Sequence, residues 1–168
     1  MRFVDFLKAT VMLSAGSATL LAALTVARAA ADSEQDVFME IAVGWWLVAA
    51  LLGGWLGRRN AASPPIARLL ADARMQMSLP ELRPGLTLLN RLWPLLVSTL
   101  GAALLGIFIP QVAAVAAGFA IIWALAWRRQ DAAVTAIEDR DGFRFYVDRT
   151  PPFAAIRLIR TPGLMRAA

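Results

Sequence analysis

The sequence predicts an all-α integral membrane protein: a four-helix transmembrane bundle with a cytoplasmic amphipathic helix and a short C-terminal tail that contains a β-hairpin. Three observations predict this class. Of the 168 residues, 59% are hydrophobic and 17% are charged, whereas ordinary soluble domains have about 45–50% apolar residues. Four stretches are apolar for the roughly 20 residues that a spanning helix needs. The basic residues lie around these stretches rather than inside them.

The four predicted spans cover residues 9–27, 37–57, 92–109 and 111–127. Each is expected to be a helix rather than a strand, because unpaired backbone groups are costly in lipid. The third helix has room to begin earlier, near Leu86. Spans three and four are nearly contiguous, which predicts a tight helical hairpin. Residues 1–127 therefore form a bundle domain, and residues 128–168 form a tail.

The first span also has the features of a secretory signal peptide. Arg2 and Lys8 precede the apolar segment Val11–Val26, and Ala27–Ala29 has the A-x-A pattern of a cleavage site. The apolar segment is at the long end for a signal peptide. We therefore favour a retained signal-anchor helix.

The basic residues predict that both termini are cytoplasmic. Basic residues in short loops mark the cytoplasmic side, and 16 of the 17 lie in the N-terminus, in residues 58–91 or in the tail. The remaining one, Arg28, shares its loop with three acidic residues. Four spans return the chain to the side on which it began. With an Ala- and Arg-rich composition, these features predict a multi-pass protein of the bacterial inner membrane.

The segment 58–91 is predicted to contain an amphipathic helix over residues 65–77. Ser63-Pro64-Pro65 is a good helix start, with a capping hydroxyl and prolines in the first turn. Apolar residues follow at helical spacing: Ile66, Leu69, Leu70, Ala73 and Met77. Such a face suits two placements equally, on the inner membrane surface or packed on the protein's own tail.

The tail is predicted to form a hairpin at about residues 134–148. Asp141-Gly142 is a typical two-residue hairpin turn, and it separates the potential strands Val134–Glu138 and Phe143–Val147. This register pairs opposite charges, Asp139 and Arg144, directly across the ladder. A lone hairpin is only marginally stable in water. It therefore needs a partner, the membrane surface or a third strand, for which Ala155–Arg160 is one candidate.

Two sets of residues are candidates for contact with a partner. Gly53 and Gly57 form a G-x-x-x-G pair, which lets helices approach closely either inside the bundle or between subunits. In the tail, an apolar face and neighbouring guanidinium groups are expected to dock on a partner or on lipid headgroups: Phe143, Phe145, Arg144, Arg157 and Arg160.

Glu40 is the candidate ion or proton site, because it is the only acid inside a predicted span and intramembrane carboxylates are commonly functional. The alternative is that Glu40, about one turn from the outer end, extends to the interface. The deeper pair Trp45-Trp46 suits either packing or stacking on a cofactor ring.

The residue types present in the chain also limit its possible functions. The chain has no Cys and no His, which excludes thiolate and imidazole metal sites and the usual catalytic triads. The sequence therefore predicts a non-enzymatic protein without cofactor or metal. Its expected partners are the lipid bilayer and other membrane subunits or a second copy, not nucleic acid. The favoured function is an accessory or assembly subunit of a larger bacterial membrane complex. The alternative is a small transporter or channel protomer, active as an oligomer, with Glu40 as its ion site.

Overall fold

The computed structural model describes residues 1–31, 36–76, 84–148, 150–151 and 154–162. The elements are α1 (Phe3–Ala30), α2 (Asp36–Leu56), α3 (Pro64–Ala71), β1 (Arg74–Met75), α4 (Pro84–Phe108), α5 (Pro110–Trp127), α6 (Gln130–Asp141), β2 (Phe143–Val147) and β3 (Leu158–Pro162). Four helical segments, beginning at Phe3, Val37, Pro84 and Pro110, are long and apolar enough to cross a membrane. Each contains one predicted span to within a residue, so the four-helix prediction is confirmed.

The chain divides into two compact units. Unit 1 consists of Met1–Ala9, Arg59–Leu92 and Arg129–Ala168, and unit 2 consists of Thr10–Arg58 and Trp93–Arg128. The tail therefore belongs to the same unit as the N-terminus and the segment between the second and third long helices.

In unit 2, α1 and α4 run in the same direction. Thr99 Oγ1 donates a hydrogen bond to Ser17 Oγ at 2.9 Å. Two turns further along both helices, a Cβ built at Gly106 would lie 3.3 Å from Leu24 Cδ2. Later residues of one helix thus face later residues of the other, which is the pattern of a parallel pair.

The helices α2 and α5 also run parallel to each other. Trp46 Nε1 donates to Ala114 O at 2.9 Å, and two turns later Gly53 faces Ile122. Near the connection at Ile109, a Cβ built at Gly106 of α4 would contact Ala113 of α5. Ala102, one turn earlier in α4, packs against the cluster that contains Ala117, one turn later in α5. These two helices therefore run in opposite directions. The four long helices therefore alternate in direction, as expected for four successive spans.

The interior of unit 2 is made of small side chains. Its buried centre is Leu21, Ala113 and Ala117, and most residues packed against it are also alanines. Large apolar side chains point outward instead, among them Leu51 and Phe108 at 74% and 81% exposure. Small residues inside and large apolar residues outside are typical of helices that pack in lipid.

Unit 1 contains a three-stranded sheet in the order β1-β3-β2. The strand β3 is parallel to β1 and antiparallel to β2. The outer edge of β2 is covered by the N-terminus, because Arg2 bridges Tyr146 and Val147 N donates to Met1 O at 3.0 Å. Three distant parts of the chain thus meet at one sheet.

The predicted hairpin over residues 134–148 is wrong in its first strand. Val134–Glu138 lies within α6, and β2 pairs with β3 instead. Gly142 has φ 70°, and its N–H donates to Glu138 O at 3.0 Å, so it ends a helix. A glycine with positive φ serves a hairpin turn and a helix C-terminus equally well, which is why the dipeptide misled the prediction. Of the candidate third strand Ala155–Arg160, only residues 158–160 lie in β3.

The amphipathic helix is shorter than predicted. It ends at Ala71 rather than Met77, a residue outside the described part of the chain, because Arg74 and Met75 pair with β3. Ile66 and Leu70 are buried, which favours packing on the protein over an apolar face laid on the membrane. The side chain of Ser63 makes no capping bond; its backbone N–H donates to Gln130 Oε1 at 2.8 Å.

Candidate functional site

The most elaborate polar arrangement in the described residues surrounds Glu138 in unit 1. Its side chain is 0% exposed. The Oε2 atom accepts from Arg2 Nη2 at 2.8 Å and from Arg144 Nη1 at 3.0 Å, and Oε1 accepts from Phe145 N at 2.9 Å. Both carboxylate oxygens are therefore occupied by donors from the N-terminus and from β2.

Local structure explains how these groups meet. Glu138 lies in the last turn of α6, and Gly142 reverses the chain so that β2 passes beside that turn. The bridge between Arg2 and Tyr146 brings the N-terminus to the same place. We call Arg2, Glu138, Asp139 and Arg144 the Glu138 cluster.

Charge in the Glu138 cluster is balanced. Arg144 Nη1 also donates to Asp139 Oδ1 at 3.0 Å, so two guanidinium groups face two carboxylates. The hydrogen bond to Glu138 raises the pKa of Arg144 further above its ordinary value, which keeps it charged at any physiological pH. Buried carboxylates are stable only when paired and hydrogen-bonded in this way. The arrangement is suited to joining three chain segments.

A second charge pair lies on the surface at the end of α6. Arg140 Nε donates to Asp141 Oδ1 at 2.7 Å. This hydrogen bond lowers the pKa of the Asp141 carboxyl. The pair is exposed to water, so screening leaves it little weight in stability.

The residues predicted to dock a partner have different environments. Phe145 is buried at 4% exposure, so the expectation that Phe143 and Phe145 together present an exposed apolar face is wrong. Phe143 is half-buried beneath Arg160, whose guanidinium carbon lies 5.5 Å from the ring centroid. Arg157 is exposed. Phe143 is the first residue of β2 and Phe145 the middle one, so the difference is between the end and the middle of the strand.

The predicted glycine pair lies between α2 and α5. A Cβ built at Gly53 would lie 2.9 Å from Ile122 Cα, and one at Gly57 would collide with Leu125 O. No larger residue fits at either position without moving a backbone. The sequence allows this glycine pair to pack either inside the bundle or between subunits. These contacts support packing inside the bundle.

Two tryptophans of α2, Trp45 and Trp46, also contact α5. Trp45 Nε1 donates to Val115 O at 3.2 Å, and its ring lies edge-on to Phe119 at 5.6 Å between centroids. Trp46 bonds the preceding carbonyl of Ala114. Both indoles are therefore engaged in packing α2 on α5.

Glu40 lies in the second turn of α2, and its side chain is exposed. It is on the face of α2 that carries Leu47 and Leu51, both more than 60% exposed. An ion site at Glu40 therefore has no enclosure from the helices described here and needs a second molecule.

Sequence reasoning missed Arg2 and Glu138 as partners. Arg140 and Arg144 lie close to Glu138 in the sequence, so local charge pairing gives no reason to place Glu138 beside residue 2. Two hydroxyls of α1 were also missed as buried groups: Ser14 and Thr25 are fully buried and bond the carbonyls of Thr10 and Leu21 at 2.8 Å.

Comparison of the chain with protein-family models, with curated proteins and with solved structures gave no match.

Proposed function

We propose that this protein is a non-enzymatic accessory or assembly subunit of a larger membrane complex in the bacterial inner membrane. The observation that carries the proposal is unit 1. Its three segments are not loops of minimum length; they fold around the Glu138 cluster and a mixed sheet into a compact body. A folded body attached to four spans provides a specific surface for another protein.

The contacts within unit 1 also support the proposed topology. Arg2 contacts Glu138 and Tyr146, which supports placing the N-terminus and the tail on the same side of the membrane. Unit 1 holds 14 of the 17 basic residues. The positive-inside rule then favours the cytoplasm for this unit.

Single cysteines test this topology without background, because the chain has none. We expect an impermeant thiol reagent to label Ser33→Cys in intact cells and to label Arg157→Cys only after the membrane is opened. Arg157 is chosen because its side chain is exposed. Labelling of Arg157→Cys from outside would refute the proposed orientation.

The surface proposed for the partner is the β1 edge of unit 1. Met75 is 57% exposed there, and Arg74 beside it is exposed as well. An exposed apolar side chain flanked by a guanidinium group is typical of the centre and rim of a protein contact.

Photo-crosslinking tests the accessory role directly. A thiol-reactive photo-crosslinker on Met75→Cys in native membranes should give one adduct of discrete mass with a different polypeptide. Adding Glu138→Leu to the same chain should abolish the adduct, because it disturbs unit 1 and leaves the probe in place. Absence of any adduct would refute the accessory role, and an adduct of twice the chain mass would favour the oligomeric transporter.

A further inference from the structure

We propose that the ends of α2 and α5 in unit 2 form a binding site for one anionic phospholipid. A cleft of about 440 Å³ lies there. Its lining combines an apolar wall with two guanidinium groups: Ala50, Leu51, Gly54, Trp55, Arg58 and Arg128. None of these described lining residues is acidic.

Close packing of α2 on α5 explains why the two arginines share one cleft. Gly57 approaches the backbone of Leu125. Arg58 follows Gly57 directly, and Arg128 lies one helical turn after Leu125 at the end of α5. The glycine that permits the close approach therefore also brings two positive charges to the same end of a parallel helix pair.

The apolar wall has the form that an acyl chain requires. A Cβ built at Gly54 would meet nothing within 4 Å, so this glycine leaves an open channel along α2. Leu51 and Trp55 flank it and are 74% and 66% exposed. Their outward faces would lie against lipid, where an acyl chain fills the space beside Gly54.

Charge and polarity together specify the ligand. Two guanidinium groups bind a phosphate through charge-assisted hydrogen bonds, and an indole is favoured at the level of the headgroups. A phosphate at one end of an apolar channel corresponds to a phospholipid. A net negative headgroup is selected because a zwitterionic one would place an ammonium group near two arginines.

Native mass spectrometry of the full chain in mild detergent tests the site, with phosphatidylglycerol and phosphatidylcholine of the same acyl chains as probes. We expect selective retention of one phosphatidylglycerol. The double variant Arg58→Gln/Arg128→Gln should weaken its binding by about 10- to 30-fold, as expected for two basic groups at a lipid surface. The matched control Lys8→Gln/Arg68→Gln removes two exposed basic residues of unit 1 and should leave binding unchanged.

A matched pair of variants tests the apolar channel beside Gly54. Gly54→Leu should fill the channel and reduce retention of phosphatidylglycerol, whereas Gly44→Leu, which also meets open space on α2, should not. Melting curves establish that each variant is folded. Soluble glycerol phosphate should not compete at concentrations that match the lipid.

Three results would overturn the site. The first is equal retention of phosphatidylglycerol and phosphatidylcholine. The second is an equal loss of phosphatidylglycerol binding in the control variant. The third is an Arg58→Gln/Arg128→Gln variant that loses thermal stability but binds phosphatidylglycerol normally. The last would mean that the arginines serve only to offset the negative ends of the two helix dipoles. None of these results bears on the adduct expected at Met75.

Discussion

Units 1 and 2 bury opposite kinds of side chain. Unit 1 buries large apolar residues, such as Phe3, Leu7 and Ile66, together with a paired carboxylate at Glu138. Apart from Leu21, unit 2 buries mainly alanines, glycines and hydroxyls, and most of its leucines are exposed. Water drives large apolar groups inward, whereas lipid is as apolar as leucine, so helices there associate through close contact of small residues. This difference is the one expected of a unit that faces water and a unit whose helices are apolar enough to cross a membrane.

The most deeply buried polar side chains, Glu138, Ser14 and Thr25, follow the same division. In unit 1, the buried carboxylate is paired across a distance of 136 residues in the chain. In unit 2, the hydroxyls of Ser14 and Thr25 bond carbonyls only four residues away in their own helix. A helix in lipid can satisfy such groups locally, because its carbonyls are already close by.

The largest effect is expected from Glu138→Leu, which removes the polar centre of unit 1. Loss of one partner of a buried ion pair costs about 3–5 kcal/mol. The guanidinium groups of Arg2 and Arg144 are 39% and 38% exposed, so water offsets part of this loss and we expect about 2–3 kcal/mol. Hydrogen exchange should rise in β2 and in the N-terminus, and membrane insertion should be unchanged.

Glu138→Gln is the matched control for that change. It keeps the size of the side chain and an oxygen that accepts from Phe145 N, so the increase in exchange should be smaller. Equal protection of β2 in wild type and Glu138→Leu would show that apolar packing alone holds unit 1 together.

Gly53→Ala is expected to have the next largest effect, in unit 2. The new methyl group would lie 2.9 Å from Ile122 Cα, and overpacking of this kind costs about 1–3 kcal/mol. The neighbouring change Gly54→Ala meets open space and should be neutral or stabilising, because alanine favours a helix over glycine by about 0.5–1 kcal/mol. Melting temperatures in detergent compare the two. If Gly53→Ala and Gly54→Ala lower the melting temperature equally, close contact at Gly53 is not what holds α2 to α5.

A smaller effect is expected from Trp46→Phe, which removes the donor to Ala114 O. Hydrogen bonds between membrane helices contribute about 0.6 kcal/mol on average, so we expect a loss near this value plus a small packing term. Trp123→Phe, on a ring that stacks on Trp127 within α5, is the control. A larger loss for Trp123→Phe would contradict the role assigned to the indole of Trp46.

Glu40→Gln should have the smallest effect. The carboxylate is exposed near the start of α2, and removal of an interfacial charge costs little because the side chain already reaches water. Assembly and the adduct at Met75 should be unchanged, and wild type and variant should give the same proton or cation flux in vesicles. Strong flux in wild type that is lost in Glu40→Gln would replace the accessory role with the transporter.

Sequence by itself determined the four long helices of this protein, because twenty apolar residues in lipid have one way to satisfy their backbone. It also grouped the basic segments that unit 1 brings together. Only the tertiary structure decided whether Asp141-Gly142 forms a hairpin turn or ends a helix, because the local preferences of these residues allow both. In the structure, β2 pairs with β3 and Asp141-Gly142 ends α6. Phe145 therefore lies in the interior of unit 1 rather than on the expected docking face. The partnership of Arg2 with Glu138 was likewise invisible to local reasoning, since a buried carboxylate is specified by the groups that surround it and those lie at opposite ends of the chain.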